Sequence, residues 1–259
     1  MTQLERWKRY RWQLIAGEAF DPAMQMALDE VLTRRVGAGE RPPTLRFWEW
    51  TAPAVVIGRF QSLRNEVDFA EAERYGITVV RRITGGGAML TEPGKVITYS
   101  IYAPPELVAG MSFQESYAFL DRWVVEALRA LGVEAWYQPI NDIACARGKI
   151  GGAAQARRHG AVLHHTTMAY DIEPEKVPRV IRIGREKLSD KGVRSAAKRV
   201  APLRQQTDLP REVIQEHLIR TFAERHGLEE GMLLPEEIEE ARELVRTKFG
   251  TWEWTAILP

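Results

Sequence analysis

Three consecutive glycines, Gly85-Gly86-Gly87, follow a β-rich run at Ile77-Thr78-Val79-Val80 and a pair of arginines, Arg81 and Arg82. Glycine takes positive φ freely and lets the main chain approach a neighbour with no Cβ between them, so the stretch reads as a strand running into a loop. Two readings follow. Successive N–H groups in such a loop form an anion-binding concavity, and two guanidinium forks beside it fit phosphate or carboxylate oxygens. The plainer reading is a tight turn between two strands.

A second stretch bears on the choice. Residues Asn141 to Gln155 read as a strand, a turn at Arg147-Gly148, and a second strand that opens with Lys149 and passes at once into Gly151-Gly152-Ala153-Ala154. A lysine beside small residues sits where a ligand can lie against the backbone, and its ammonium is a point charge for a developing phosphate or a polarised carbonyl. The alternative is an exposed hairpin lysine, which most lysines are. In the next strand, Gly160 to Met168, alternation sends His164 and His165 to opposite faces, so they cannot serve as adjacent ligands of one metal.

These two runs, RRITGGGAM from Arg81 and NDIACARGKIGGAAQ from Asn141 continuing to Met168, resemble the lipoate–protein ligase A family, within the wider group of biotin and lipoate ligases and lipoyl- or octanoyltransferases. Supporting matches are Met26 to Glu30, Leu45 to Trp48, Val56 to Gln61 and Lys191 to Ser195. The resemblance implies an α+β fold: a mixed, mainly antiparallel sheet region with packed helices, its pocket lying where the glycine loop meets the lysine hairpin. It implies one catalytic domain over residues 1–259, without the small C-terminal domain that bacterial ligases often add, and leaves room for a separate accessory subunit. The implied reaction is attack of lipoate's carboxylate on the α-phosphate of ATP, followed by displacement of AMP by a lysine amine of a lipoyl carrier domain, of the dehydrogenase E2 or glycine-cleavage H type.

In that scheme Lys149 is the catalytic cation. Arg82, Thr84, Gly85, Gly86 and Gly87 hold acid and phosphate oxygens, while Asn141 and Asp142 contact the nucleotide, Asp142 also through Mg²⁺. Gly152 and Ala153 admit the acyl chain, and His165 is the inward histidine of its pair. The chain departs from the family at Thr91-Glu92, where a histidine and an aspartate commonly stand, and Thr98-Tyr99-Ser100 looks as much like the octanoyltransferases as the ligases. Two other readings therefore stay open. One is ATP-independent transfer from an acyl thioester through Cys145, the single cysteine, although cysteine-dependent relatives carry their nucleophile in a different segment. The other is a non-catalytic binder of nucleotide, acyl ligand or carrier domain.

Composition narrows the classes further. With 36 basic and 35 acidic residues the net charge is +1, which gives no global argument for nucleic acid or a membrane surface. One cysteine excludes an internal disulfide, and no long apolar run or chain-start signal is present, so the cytoplasm is the expected compartment. No P-loop occurs, and Leu90 stands where a dinucleotide fingerprint needs its third glycine. Periodicity predicts helices opening at Asp21-Pro22, over Asn65 to Tyr75, from Ser112 to Leu131, from Arg211 to Arg225 and from Pro235 to Lys248.

Overall fold

The computed structural model describes residues 3–182 and 200–259. A short helix α1 (Gln3–Lys8) and strands β1 (Gln13–Ile15) and β2 (Ala19–Phe20) lead into helix α2 (Pro22–Gly37). Strands β3 (Thr44–Trp50) and β4 (Ala54–Ile57), helices α3 (Leu63–Glu66) and α4 (Phe69–Arg74), and strands β5 (Thr78–Arg81), β6 (Met89–Thr91) and β7 (Val96–Ala103) follow. Helix α5 (Phe113–Ala130) precedes β8 (Trp136–Gln138), β9 (Asp142–Cys145), β10 (Gly148–Arg158) and β11 (Ala161–Ala169). The chain closes with α6 (Val177–Val180), α7 (Arg211–His226), β12 (Glu229–Glu230), α8 (Pro235–Leu244) and α9 (Trp252–Thr255).

The expected α+β architecture is present. A large mixed sheet runs β12-β1-β3-β7-β11-β10-β9-β8, with β2 beside β3; a small sheet runs β5-β4-β6. From β3 across to β8 every pairing in the large sheet is antiparallel. Central strand β7 is buried at every position, which requires apolar cover on both faces. One face packs on α2 and the small sheet through Val31, Leu32, Val55 and Leu163; the other packs on α5 and α7 through Leu120, Val124, Leu128 and Phe222.

Local signals set the helix ends. The Asp21 side chain accepts the Met24 N–H ahead of Pro22, and Ser112 with Glu115 closes a capping box at α5. The helix expected over Asn65 to Tyr75 divides in two, because Val67 leaves helical geometry to bridge Ile181 and Asp68 then caps α4 by accepting the Glu71 N–H. The α8 helix ends at Leu244, and Val245–Phe249 continues as a π-helical turn. No described helix is long and apolar enough to cross a membrane.

The C-terminal segment is fastened behind the glycine loop by Arg81. Its fully buried guanidinium donates to the carbonyls of Gly58, Gln61, Thr255 and Leu258, and Trp254 Nε1 returns a bond to the Arg81 carbonyl. Arg81 thus holds main chain and presents no fork to a ligand, a correction to its reading as an anion clamp. Burial explains the difference: a guanidinium taken out of water must satisfy its donors, and carbonyls are what the surroundings offer.

Candidate active site

The glycine loop joins β5 to β6 and leans on the larger sheet. Gly86 adopts φ 88°, and a Cβ built there would lie 3.0 Å from Arg82 Nη2 and 3.7 Å from the Ala154 methyl on β10. Its carbonyl lies so near Gly58 that a Cβ on Gly58 would meet the oxygen at 2.2 Å. The close backbone approach expected of the triplet is therefore real, and Gly58 shares in it.

The lysine hairpin depends on a bulge. Lys149 pairs with Ala144 and Gly151 with Ile143, leaving Ile150 as the extra residue. In a regular strand Lys149 and Gly152, three apart, would face opposite ways; one inserted residue puts both on the glycine-loop face. Asp142, paired with Gly152, joins them there, and Lys149 Nζ lies 2.8 Å from its Oδ1. A Cβ on Gly152 would sit 2.7 Å from Nζ, so glycine is what lets the ammonium lie across the strand. Asn141 clamps the bulge, its amide donating to the Ala153 carbonyl and its own carbonyl accepting the Ala153 N–H. Downstream, Ala201 N–H donates to the Lys149 carbonyl at 2.8 Å. The run Lys187 to Ser195, read as a basic segment near the pocket, lies outside the described residues.

Two expected residues, Ala153 and Arg82, take other places, while Cys145 is a small buried residue, as its segment suggested. Ala153 pairs with Thr166 and shares its α5 face, while Gly152 and Ala154 lie on the face of Lys149 and Asp142. Cys145, four residues from Lys149, points to the opposite face of β9 and is buried in the α5-side core with Ile143 and Ile150. Arg82 is buried and donates through Nη2 to the carbonyls of Gly85 and Gly87, at 2.6 and 2.9 Å, and through Nη1 to Val56. Burial pulls its pKa down to about 10. Like Arg81, it holds the loop from behind.

His165 and Thr84 belong to a chain of buried hydrogen bonds. His165 Nδ1 is 2.7 Å from Asp29 Oδ2 on α2, and its Nε2 is 2.8 Å from Thr84 Oγ1. Asp29 Oδ1 accepts from Ser100 Oγ and Tyr102 OH on β7, and Ser100 accepts in turn from Trp48 Nε1. Burial lowers the His165 pKa, with Asp29 opposing, and burial raises that of Tyr102. Asp29 was visible in the sequence only as part of the Met26 to Glu30 match; nothing there tied it to His165. At the departure from the family pattern, Thr91 Oγ1 donates to the Ala54 carbonyl, while Glu92 is buried against Lys176 with Lys95 at 3.5 Å.

The described residues contain no group of three His, Cys, Asp or Glu side chains able to hold a metal. A lone carboxylate such as Asp142 fits Mg²⁺ in the way that ion is usually held, by one or two carboxylates completed by substrate phosphates.

A small sheet delivering a glycine loop onto a larger, mainly antiparallel sheet, on the face that carries a lysine paired with an aspartate, is the architecture of the lipoate ligase class. The chain belongs to the lipoyl protein ligase A/B catalytic domain family, whose model matches residues 21–223. It is 32% identical, over 94% of its length and 97% of the relative's, to octanoyltransferase LipM of Kyrpidia tusciae. Among solved structures it superposes with TM-score 0.80 on the bi-partite lipoate protein ligase of Thermoplasma acidophilum, at 31% identity over 96% of this chain and 97% of that one. A lipoate–protein ligase A bound with ATP gives the same TM-score at 28% identity, over 96% and 99% of the two chains. The chain is thus an enzyme of the lipoate ligase and octanoyltransferase family.

Proposed function

We propose that this enzyme is an ATP-dependent lipoate–protein ligase working as one catalytic domain. A carboxylate is a poor acyl donor, so its oxygen first attacks the α-phosphorus of ATP and pyrophosphate leaves. The lysine amine of a lipoyl carrier domain then attacks the carbonyl of the resulting lipoyl-adenylate, AMP leaves, and the amine proton is lost. Both steps gather negative charge beside Lys149, whose ammonium stabilises it more than it stabilises the ground state. Gly85, Gly86 and Gly87 bring N–H groups to the same place; Thr84, Arg82 and His165 support them. Asn141 and Asp142 lie at the nucleotide end, and Asp142 would hold Mg²⁺ together with the phosphates. Gly152 leaves room for substrate beside the ammonium.

The observation that carries this reading is the placement of Cys145. Transfer from an acyl thioester through a cysteine needs a thiolate on the face of Lys149, and the single cysteine thiol of the chain is sealed on the other face. The names of the relatives include octanoyltransferases, which favours the thioester route as the rival. An ATP-bound structural neighbour and the bi-partite archaeal one support the ligase route, and the latter also raises a separate subunit as a requirement for activity.

Intact-mass analysis of a lipoyl carrier domain separates the routes, with lipoate plus ATP·Mg²⁺ in one reaction and an octanoyl carrier thioester without ATP in the other. The expected result is a lipoyl mass gain that needs ATP, is lost in Lys149→Ala and survives Cys145→Ala. A gain from the thioester alone, abolished by Cys145→Ala, would overturn the ligase reading.

A further inference from the structure

Four buried side chains from three elements line up between helix α2 and the glycine loop, and their hydrogen bonds have a single direction. A carboxylate only accepts, so His165 Nδ1–H donates a hydrogen bond to Asp29 Oδ2 at 2.7 Å. The neutral imidazole then carries a lone pair on Nε2, and the Thr84 hydroxyl 2.8 Å away must donate to it. The Thr84 oxygen is left to accept, which it does from Arg82 Nε at 2.9 Å. With Nε committed there, the Arg82 fork is aimed so that Nη2 reaches the carbonyls of Gly85 and Gly87. Asp29 cannot turn away, because Ser100 and Tyr102 hold its other oxygen.

The end of the chain decides which way the loop's peptides face. In a trans peptide the C=O of one residue and the N–H of the next point in opposite directions. Drawing the carbonyls of Gly85 and Gly87 toward Arg82 therefore turns the N–H groups of Gly86 and Ala88 away from that cation. An unheld glycine triplet would sample many other orientations, since glycine gives up more freedom on ordering than any other residue.

We propose that Asp29 and His165 are positioning residues: through Thr84 and Arg82 they preset the glycine loop with its N–H groups outward for the charge that develops in acyl transfer. The inference rests on the acyl-transfer reading above, and it assigns His165 a part in holding the loop.

The test compares the whole protein with Asp29→Asn, Thr84→Val and Thr84→Ser, and with Asp121→Asn, which alters the partner of the neighbouring His164. Asp29→Asn and Thr84→Val should each lower kcat for lipoylation of a carrier domain by roughly 10- to 100-fold, the range for losing an outer partner that orients a site group, with a smaller change in KM for lipoate. Their Gly86 and Ala88 amide resonances should move away from the wild-type positions. Thr84→Ser should recover most of the loss, and Asp121→Asn should leave those two resonances in place. An Asp29→Asn enzyme that folds and keeps wild-type kcat and amide shifts would overturn the proposal, as would equal amide shifts in Asp121→Asn. Should the wild type transfer nothing from either donor even with an accessory subunit supplied, the functional reading falls, while the amide shifts still decide whether Asp29 and His165 hold the loop.

Discussion

His164 and His165 are neighbours on β11, and each donates to an aspartate on a helix, yet they serve opposite halves of the molecule. His165 meets Asp29 of α2, and its second nitrogen continues through Thr84 to the glycine loop. His164 meets Asp121 of α5, which also accepts from Tyr99 and Thr166; there the chain ends, with His164 Nδ1 and Asp121 Oδ2 finding no partner among the described residues. The pairing chemistry is the same on both faces. What differs is the far end: a glycine loop held by hydrogen bonds on one side, a close-packed wall of Tyr99, Trp123 and Phe222 on the other. A buried Asp–His pair is a means of fixing orientation, and only its terminus says whether the fixed object is a site or a core.

The sharpest way to break this contrast is Asp121→Ala. Removing the acceptor of three buried donors should destabilise the protein by about 3–5 kcal/mol, the cost of stripping one partner from a buried polar pair, measured by urea denaturation. A loss below about 1 kcal/mol would mean that the α5 face does not depend on its pair. Next in size is Gly58→Ala, aimed at the loop end of the His165 chain. A methyl 2.2 Å from the Gly86 carbonyl must displace main chain, and a misplacement of about 1 Å costs on the order of 10²-fold in rate. Single-turnover lipoylation reads it, and unchanged kinetics would show that the loop's position is not critical.

The smallest effect sharpens what an aspartate does for a buried imidazole. His226 stacks on Trp7, its Nδ1 without a hydrogen-bond partner among the described residues, and burial, with Arg225 and Lys8 adding, pulls its pKa from 6.5 down to about 4. The unfolded chain then binds the proton more readily than the folded one, so stability is present above pH 6.5 and declines as pH falls from 6.5 toward 4. Urea midpoints at pH 7 and pH 5 should differ in the wild type and differ less in His226→Phe, which keeps a ring against Trp7. An identical pH dependence in the two proteins would assign the slope to other groups.

Much was legible in the residues before any coordinates. Caps, periodicity and glycine stops place α2, α5 and α7 to within a few residues, because these signals are local. Period-two alternation in Gly160 to Met168 separates the two histidines by face, again from local geometry. The split between α3 and α4 was not legible, since it comes from Val67 bridging Ile181, a partner more than a hundred residues away.

The glycine triplet, the lysine hairpin and the family they point to belong to the sequence, as does the fact that a single cysteine is available. Only tertiary structure decided what the charged groups do. Arg81 and Arg82 looked like ligand clamps because guanidinium forks fit oxyanions, but burial commits them to carbonyls of the loop and the C-terminal segment. Lys149 and Cys145 lie four residues apart in the chain and on opposite faces of the sheet, a separation set by the hairpin register. Asp29 became part of the site because α2 packs across β7 and β11, a contact no local pattern specifies. Directions of backbone and side chain follow from short-range sterics and are written in the residues; the partners of a buried polar atom are chosen by whatever the fold brings within about 3 Å.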